Sequence, residues 1–173
     1  VVGELHELAP VSFLHSGAAL GFALALSSLQ SAARGAVVVV QQDFAALESG
    51  ALYGLGCGLF GLDPARLLVV RAASARDALW AMEEGLKTRD ATTVLGELAE
   101  DGKAADLTAT RRLSLAAQKS RGLAILLRQR PSAQPSAAAT RWSIAATAGD
   151  ADGFGGLGRS AFRLALTKNR RGP

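Results

Sequence analysis

Near the amino terminus, Pro10-Val11-Ser12-Phe13-Leu14-His15-Ser16-Gly17-Ala18-Ala19-Leu20 stands where an extended segment, Gly3–Leu8, turns into an apolar helix. A nucleotide-binding chain places G-x-x-x-x-G-K-[ST] there: backbone N–H groups cradle phosphates, the lysine reaches the β- and γ-phosphates, and the hydroxyl ligates magnesium. Ser12, His15, Ser16 and Gly17 are what this chain keeps of such a loop, and they read as vestigial. No lysine precedes Lys87, and Ala18-Ala19 offers no hydroxyl. A helix N-terminus still attracts anions through its free N–H groups, but without the lysine nucleotide affinity should fall severely.

Two carboxylates stand where catalysis would need them. Asp43 follows the apolar run Ala36–Val40, the position at which parallel-sheet ATPases hold the group that polarises the attacking water. With no bound phosphate such a base has nothing to act on, and Asp43 reads rather as a capping or turn residue. Glu97 lies one step beyond Val94-Leu95-Gly96. An acid directly after that run would organise the magnesium shell, but Gly96 occupies the place. Glu97, Glu100 and Asp101 read as a solvated acidic loop. ATPase activity is therefore expected to be absent, and no cofactor or metal is expected.

Other chemistry has less support. His6 and His15 are the only histidines and Cys57 the only cysteine, too few for a zinc site of four close ligands. His6 alternates with Leu5 and Leu8 and reads as an edge or packed histidine. Cys57, between glycines among apolar neighbours, reads as a buried filler and excludes an internal disulfide. Ser12, Ser16 and Ser49 have no base at a telling spacing, and no G-x-S-x-G elbow is present.

Charge is unevenly divided. Residues 1–102 carry 6 Lys/Arg against 12 Asp/Glu, net −6; residues 103–173 carry 13 against 3, net +10, which together give the overall +4. The basic set comprises Arg111, Arg112, Lys119 and Arg121 on and after one helix, Arg128 and Arg130 after a strand, Arg141, and Lys168, Arg170 and Arg171. It fits a phosphate-backbone track, an acidic protein surface or a solvated face, and spacing does not separate these. Few aromatics accompany it (Trp142, Phe154, Phe162), which argues against a single-strand stacking platform.

The elements that must position these groups alternate in type. The run Ala36–Val40 is continuously β-branched, as in a strand buried on both faces of a parallel sheet. Leu67–Val70, Ala91–Gly96 and Leu123–Leu127 read as further strands. Helices are expected over Gly17–Ala33, apolar on most faces and so buried, over Ser49–Phe60, over Ala75–Lys87 behind a Ser74 cap, and over Asp106–Ser120. Pro131–Ala139 reads as a mobile loop. Thr140–Thr147 and Ser160–Lys168 alternate and have no helix between them, so they predict an antiparallel pair around a glycine-rich turn at Asp150–Gly158. The expectation is one α/β domain over 1–173, a mostly parallel twisted sheet flanked by helices with a C-terminal antiparallel pair. A start without Met and a stop in a basic run suggest trimmed ends. No run of 18 residues is free of polar interruption and no signal peptide is visible, so the expected setting is cytoplasmic, without a membrane partner.

Several stretches carry a family resemblance: Gln42-Asp43-Phe44-Ala45-Ala46-Leu47-Glu48-Ser49-Gly50, Gly61–Leu67, Arg76-Asp77-Ala78-Leu79-Trp80-Ala81-Met82-Glu83-Glu84, Leu107–Leu113, Ala139–Trp142 and Thr167–Gly172. Together they resemble ImuA, a RecA-like family of damage-inducible bacterial mutagenesis proteins. The resemblance implies a RecA-like core lacking ATPase function and an accessory role in error-prone translesion synthesis. It implies work beside ImuB, an inactive Y-family-polymerase-like adaptor, and an error-prone C-family polymerase, with contact to RecA and a nucleoid-associated setting. A direct DNA contact and a homo-oligomer are further expectations. A residual ATPase built on Asp43 and a direct DNA-binding module stay open as alternatives. Family members usually continue beyond Asn169-Arg170-Arg171-Gly172.

Overall fold

Valine at four consecutive positions, Val37–Val40, marks an internal strand of a sheet whose two faces are both covered there. The computed structural model describes residues 3–31, 35–99, 103–156 and 158–172. Seven strands are present among them: β1 (Glu4–Pro10), β2 (Ala36–Gln42), β3 (Leu67–Ala72), β4 (Ala91–Leu98), β5 (Leu123–Arg128), β6 (Thr140–Thr147) and β7 (Ala161–Asn169). They form one sheet in the order β3-β2-β4-β5-β1-β6-β7. Every pairing is parallel except β6 with β7. The fold is α/β with a C-terminal antiparallel pair, as the patterning predicts.

The helices are α1 (Ser16–Ser31), α2 (Asp43–Ser49), α3 (Gly54–Gly58), α4 (Ala75–Lys87) and α5 (Leu107–Ser120). One face of the sheet packs Val38, Val40, Val94 and Leu126 against Ala78, Met82 and Leu86 of α4 and Leu113 and Ala117 of α5. The other packs Val37, Val39, Leu95 and Ile125 against Ala19, Ala23 and Leu24 of α1, with Cys57 and Ile144. Caps set the starts of the two long helices on the first face. The Ser74 hydroxyl accepts from Asp77 N at 3.1 Å, and Asp106 Oδ1 accepts from Ala109 N at 2.8 Å.

Several local expectations need correction. The helix expected over Ser49–Phe60 is two short ones. Gly50, at φ +91°, ends α2, and an irregular segment precedes α3. Helix α1 is not buried all round: Leu29 is exposed, as is Leu14 in the 3-10 turn that leads into it. The stretch Phe13–Gln30 is long and apolar enough, by length and composition, to cross a membrane. Here it lies on the sheet through Ala19, Ala23 and Leu24. The expected end at Ala33 falls outside the described residues.

The segment 131–139, read as mobile, is tied down. Ala137 and Ala138 are buried, Ala139 N bonds Leu5 O at 2.8 Å, and Ala137 N bonds the Thr110 hydroxyl at 3.0 Å. Its composition suggested looseness, but its partners come from remote strands and helices. The β6–β7 turn is ordered in part by Asp152 Oδ1, which accepts from Phe154 N and Gly156 N at 2.9 and 2.7 Å.

Candidate functional site

Ligands of open α/β sheets collect beyond the carboxyl ends of the strands. At the end of β1, Val11 N bonds Ile144 O at 2.9 Å, and the 3-10 turn Phe13–His15 leads into α1. His15 Nδ1 accepts from Ala146 N at 3.0 Å, so this histidine fastens the loop to β6. Ser12 is extended and makes no side-chain cap. Gly17 is exposed, and among the described residues nothing lies within 4 Å of where a Cβ would stand. Arg130, beyond β5, lies 4.9 Å over the Phe13 ring and pairs with Glu48 at 3.3 Å. That contact links the loop to α2.

Inside this rim is a buried polar network. Glu97 is a residue of β4, 2% exposed. This corrects the solvated-loop reading; Glu100 and Asp101 fall outside the described residues. Gln41 Nε2 donates to Glu97 Oε2 at 2.8 Å and Gln129 Nε2 to Oε1 at 3.0 Å, so each carboxylate oxygen receives one amide. Gln41 Nε2 also reaches Gly50 O at 3.1 Å; Gln129 Nε2 reaches Ala45 O at 3.1 Å and the Ser49 hydroxyl. The two glutamines therefore join β2, β4, β5 and α2 through one carboxylate. An acid at Gly96 would put its Cβ into the Met82 side chain of α4, which would have to shift. Asp43, the first residue of α2, points outward to Arg71 at 2.8 Å, with both side chains about half exposed. The fold therefore separates Asp43 from Glu97: one is a surface ion pair, the other the centre of a buried network.

Gln41 and Gln129 were not singled out in the sequence. The available signal was two polar residues, Gln41-Gln42, ending a β-branched run at the carboxyl edge. His6 is buried on β1, an internal strand, with Nδ1 2.7 Å from the Thr140 hydroxyl. Burial pushes the Cys57 thiol up from its ordinary value.

The basic set divides in two. Arg128 is not on the surface: it is 1% exposed within β5, its Nε 2.6 Å from Glu7 Oε1 and its Nη2 2.9 Å from Ala105 O. Arg141 turns inward to Glu7 at 3.3 Å and to Gln134 O at 2.6 Å. Lys168 donates to Ser136 O at 2.5 Å, Arg170 to Ala137 O at 3.1 Å, and Arg171 pairs with Glu4 at 2.5 Å. Desolvation, then the neighbouring Arg141 and Arg170 charges, hold the Lys168 ammonium below its usual range. Arg112 pairs with Glu83 of α4 at 2.6 Å. Arg111, Lys119 and Arg121 are exposed without a hydrogen bond or ion pair among the described residues. Arg121 also takes the left-handed conformation, φ +59°, that closes α5. Seven of the ten cations in this set thus help hold the fold together, and the other three, Arg111, Lys119 and Arg121, lie on and just after α5; outside the set, Arg159 and Arg163 are also exposed.

No family model matches the chain. Two curated relatives, Protein ImuA from two strains of Caulobacter vibrioides, are 36% identical over 128 residues, covering 66% of this chain and 51% of theirs. The chain belongs to the ImuA family. It spans about half the length of these ImuA relatives. Among solved structures, SulA from Pseudomonas aeruginosa superposes with a TM-score of 0.53 over 72% of this chain and 96% of that one. Its sequence identity of 22% makes this a likeness of fold alone. The ImuA assignment thus rests on sequence, and the SulA likeness on the arrangement of sheet and helices.

Proposed function

We propose that this ImuA-family chain is a non-catalytic accessory of damage-inducible mutagenesis, acting through protein contacts in a cytoplasmic, nucleoid-associated complex for translesion synthesis. Its partners in this reading are the ImuB-like adaptor, the error-prone C-family polymerase and RecA, and its core descends from a RecA-like nucleotide-binding fold. The observation that carries the reading is the state of Glu97. The carboxylate nearest the expected metal position is occupied on both oxygens by glutamine amides. The loop facing it has no lysine, and its histidine is spent on a backbone N–H. A phosphate arriving there would meet helix N–H groups and an Arg130 already paired with Glu48, a weak attraction for a polyanion that is well solvated in water.

Calorimetric titration with magnesium-ATP and a slowly hydrolysed analogue tests the non-catalytic half of the reading. No heat at millimolar nucleotide is the expected result. Saturable binding would overturn it in favour of a residual ATPase using Asp43. Co-purification with the ImuB-like adaptor tests the other half: a stable complex supports the accessory role, and none under damage-inducing conditions removes it.

The exposed Arg111, Lys119 and Arg121 favour a second reading, a direct DNA contact. It predicts a steep loss of DNA affinity with salt, and Arg111→Ala weakening that is uniform across sequences.

A further inference from the structure

Helix α5 turns its unpaired cations and an unburied leucine to the same side. Arg112, Leu115 and Lys119 follow one another at helical spacings of three and four, spanning about 10 Å along the helix, with Arg111 one turn before Leu115. Leu115 is 56% exposed, and Arg111 and Lys119 make no hydrogen bond or ion pair among the described residues. Beside this side, where Arg112 meets Glu83, α4 and α5 enclose a groove of about 610 Å³. Leu79 and Leu113 line its apolar part. Trp80, 62% exposed, stands at its edge, and Arg76 beside it also has no ion-pair partner among the described residues. An indole left this open is unusual on an otherwise amphipathic helix whose other large apolar residues face the core.

The carboxylates around the groove are all engaged. Asp77 accepts from the Ser74 hydroxyl at 2.7 Å, Asp106 caps Ala109, and Glu83 is held by Arg112 and Lys87. Asp77 and Asp106 keep their charge but sit at the N-termini of α4 and α5, which offset it, so the cations without an ion-pair partner among the described residues, Arg76, Arg111 and Lys119, outnumber them and lie beside apolar surface. We infer that the α4–α5 groove and the adjoining side of α5 dock an acidic amphipathic helix of a partner protein. Its carboxylates would meet Arg76, Arg111 and Lys119, and its apolar stripe would cover Trp80 and Leu115. This rests on the accessory reading above and names the surface and partner chemistry for it. A nucleic-acid backbone would neutralise the same cations but offers no apolar cover for Leu115, which is why protein is favoured over DNA.

The probe is a fluorescein-labelled, end-capped 18-residue helical peptide with leucines on one face flanked by glutamates, followed by anisotropy. Saturable binding is expected, weakened at least tenfold in the Arg111→Glu/Lys119→Glu chain and in Trp80→Ala, with melting temperatures unchanged because these side chains are exposed. Peptides with glutamate changed to lysine, or leucine to serine, should fail to bind. The inference is overturned if the wild-type chain does not bind the acidic peptide, if the double variant binds it equally well, or if a 20-nucleotide single strand displaces it at lower concentration. Adaptor co-purification separates this inference from the accessory reading. An adaptor retained by the double variant removes this surface but leaves the accessory role. An adaptor absent from the wild-type chain that still binds the peptide does the reverse.

Discussion

Glu7 and Arg128 face each other on neighbouring parallel strands, Oε1 to Nε at 2.6 Å, with 1% of either side chain exposed. The pair joins β1 to β5 in the middle of the sheet, and Arg141 reaches the second Glu7 oxygen from β6. Removing one partner leaves a desolvated charge, which is far costlier than removing both.

Arg128→Met should therefore lower stability by about 3 kcal/mol, the low end expected for a broken buried pair because Arg141 still answers Glu7. Adding Glu7→Gln should recover much of that loss. Urea denaturation of the two variants checks this; equal stability of the single and double variants would show that the pair does not act as a unit.

The Glu97 network makes a contrast within one face of the molecule. Glu97→Ala strips an acceptor from Gln41 and Gln129 and opens a cavity, a loss of about 2–4 kcal/mol. Asp43→Asn alters only an exposed pair with Arg71 and should change stability by less than about 0.5 kcal/mol. Thermal melts of both variants read this directly. Comparable losses would mean that Asp43 carries structural weight that its exposure does not suggest.

An attempt to restore a metal-binding acid with Gly96→Asp should be strongly destabilising, because it adds a buried carboxylate to a Cβ that already forces the Met82 side chain to shift. Gly96→Ala isolates the packing effect, at about 1–3 kcal/mol. Shortening the obstacle in Gly96→Ala/Met82→Ala should cost less than the sum of the two single changes. A strictly additive double-mutant cycle would show that the two positions do not meet.

Lys168 gives a pH signature. Its folded value lies below the ordinary 10.5, so above neutral pH the unfolded chain binds more protons than the folded one. Stability should then rise as pH climbs through the folded value towards the unfolded one. Lys168→Gln, which removes the charge that burial and the two arginines penalise, should lose that rise. Matched denaturation curves between pH 8 and pH 10 test it, and an identical slope in the variant would assign the dependence to another group.

How legible these features were depends on how local they are. The valine run of β2, the Ser74 and Asp106 caps and the hairpin at the C-terminus depend on neighbours in sequence, and their patterns could be read directly. The α2–α3 break depends on Gly50 taking a positive φ, whereas the later glycines drew attention to the wrong place. Arg128 looked like a surface cation because its counter-ion, Glu7, lies 121 positions away. Glu97 looked solvated because the amides that bury it are remote in sequence, Gln41 on β2 and Gln129 just beyond β5. The proposed contact positions divide by whether the fold supplies a partner. Arg111 and Lys119 remain surface cations, while Arg141, Lys168 and Arg170 were claimed by the fold.

The fastening of segment 131–139 also sets an order of assembly. The Ser136 and Ala137 carbonyls receive their donors from Lys168 and Arg170, and Ala139 O receives Arg170 N at 2.9 Å. These contacts close loops of about thirty residues, and no donor is available until β7 has emerged from the ribosome and paired with β6. The parallel core can form earlier, and Leu5 and Thr110 can already hold Ala139 and Ala137, but these three carbonyls stay without their donors until then. Strand β7 works as a clasp on a segment synthesised well before it, so nascent chains stalled short of Lys168 should be cut at 131–139 more readily than the full chain, although Leu5, Thr110 and Arg141 already hold part of the segment.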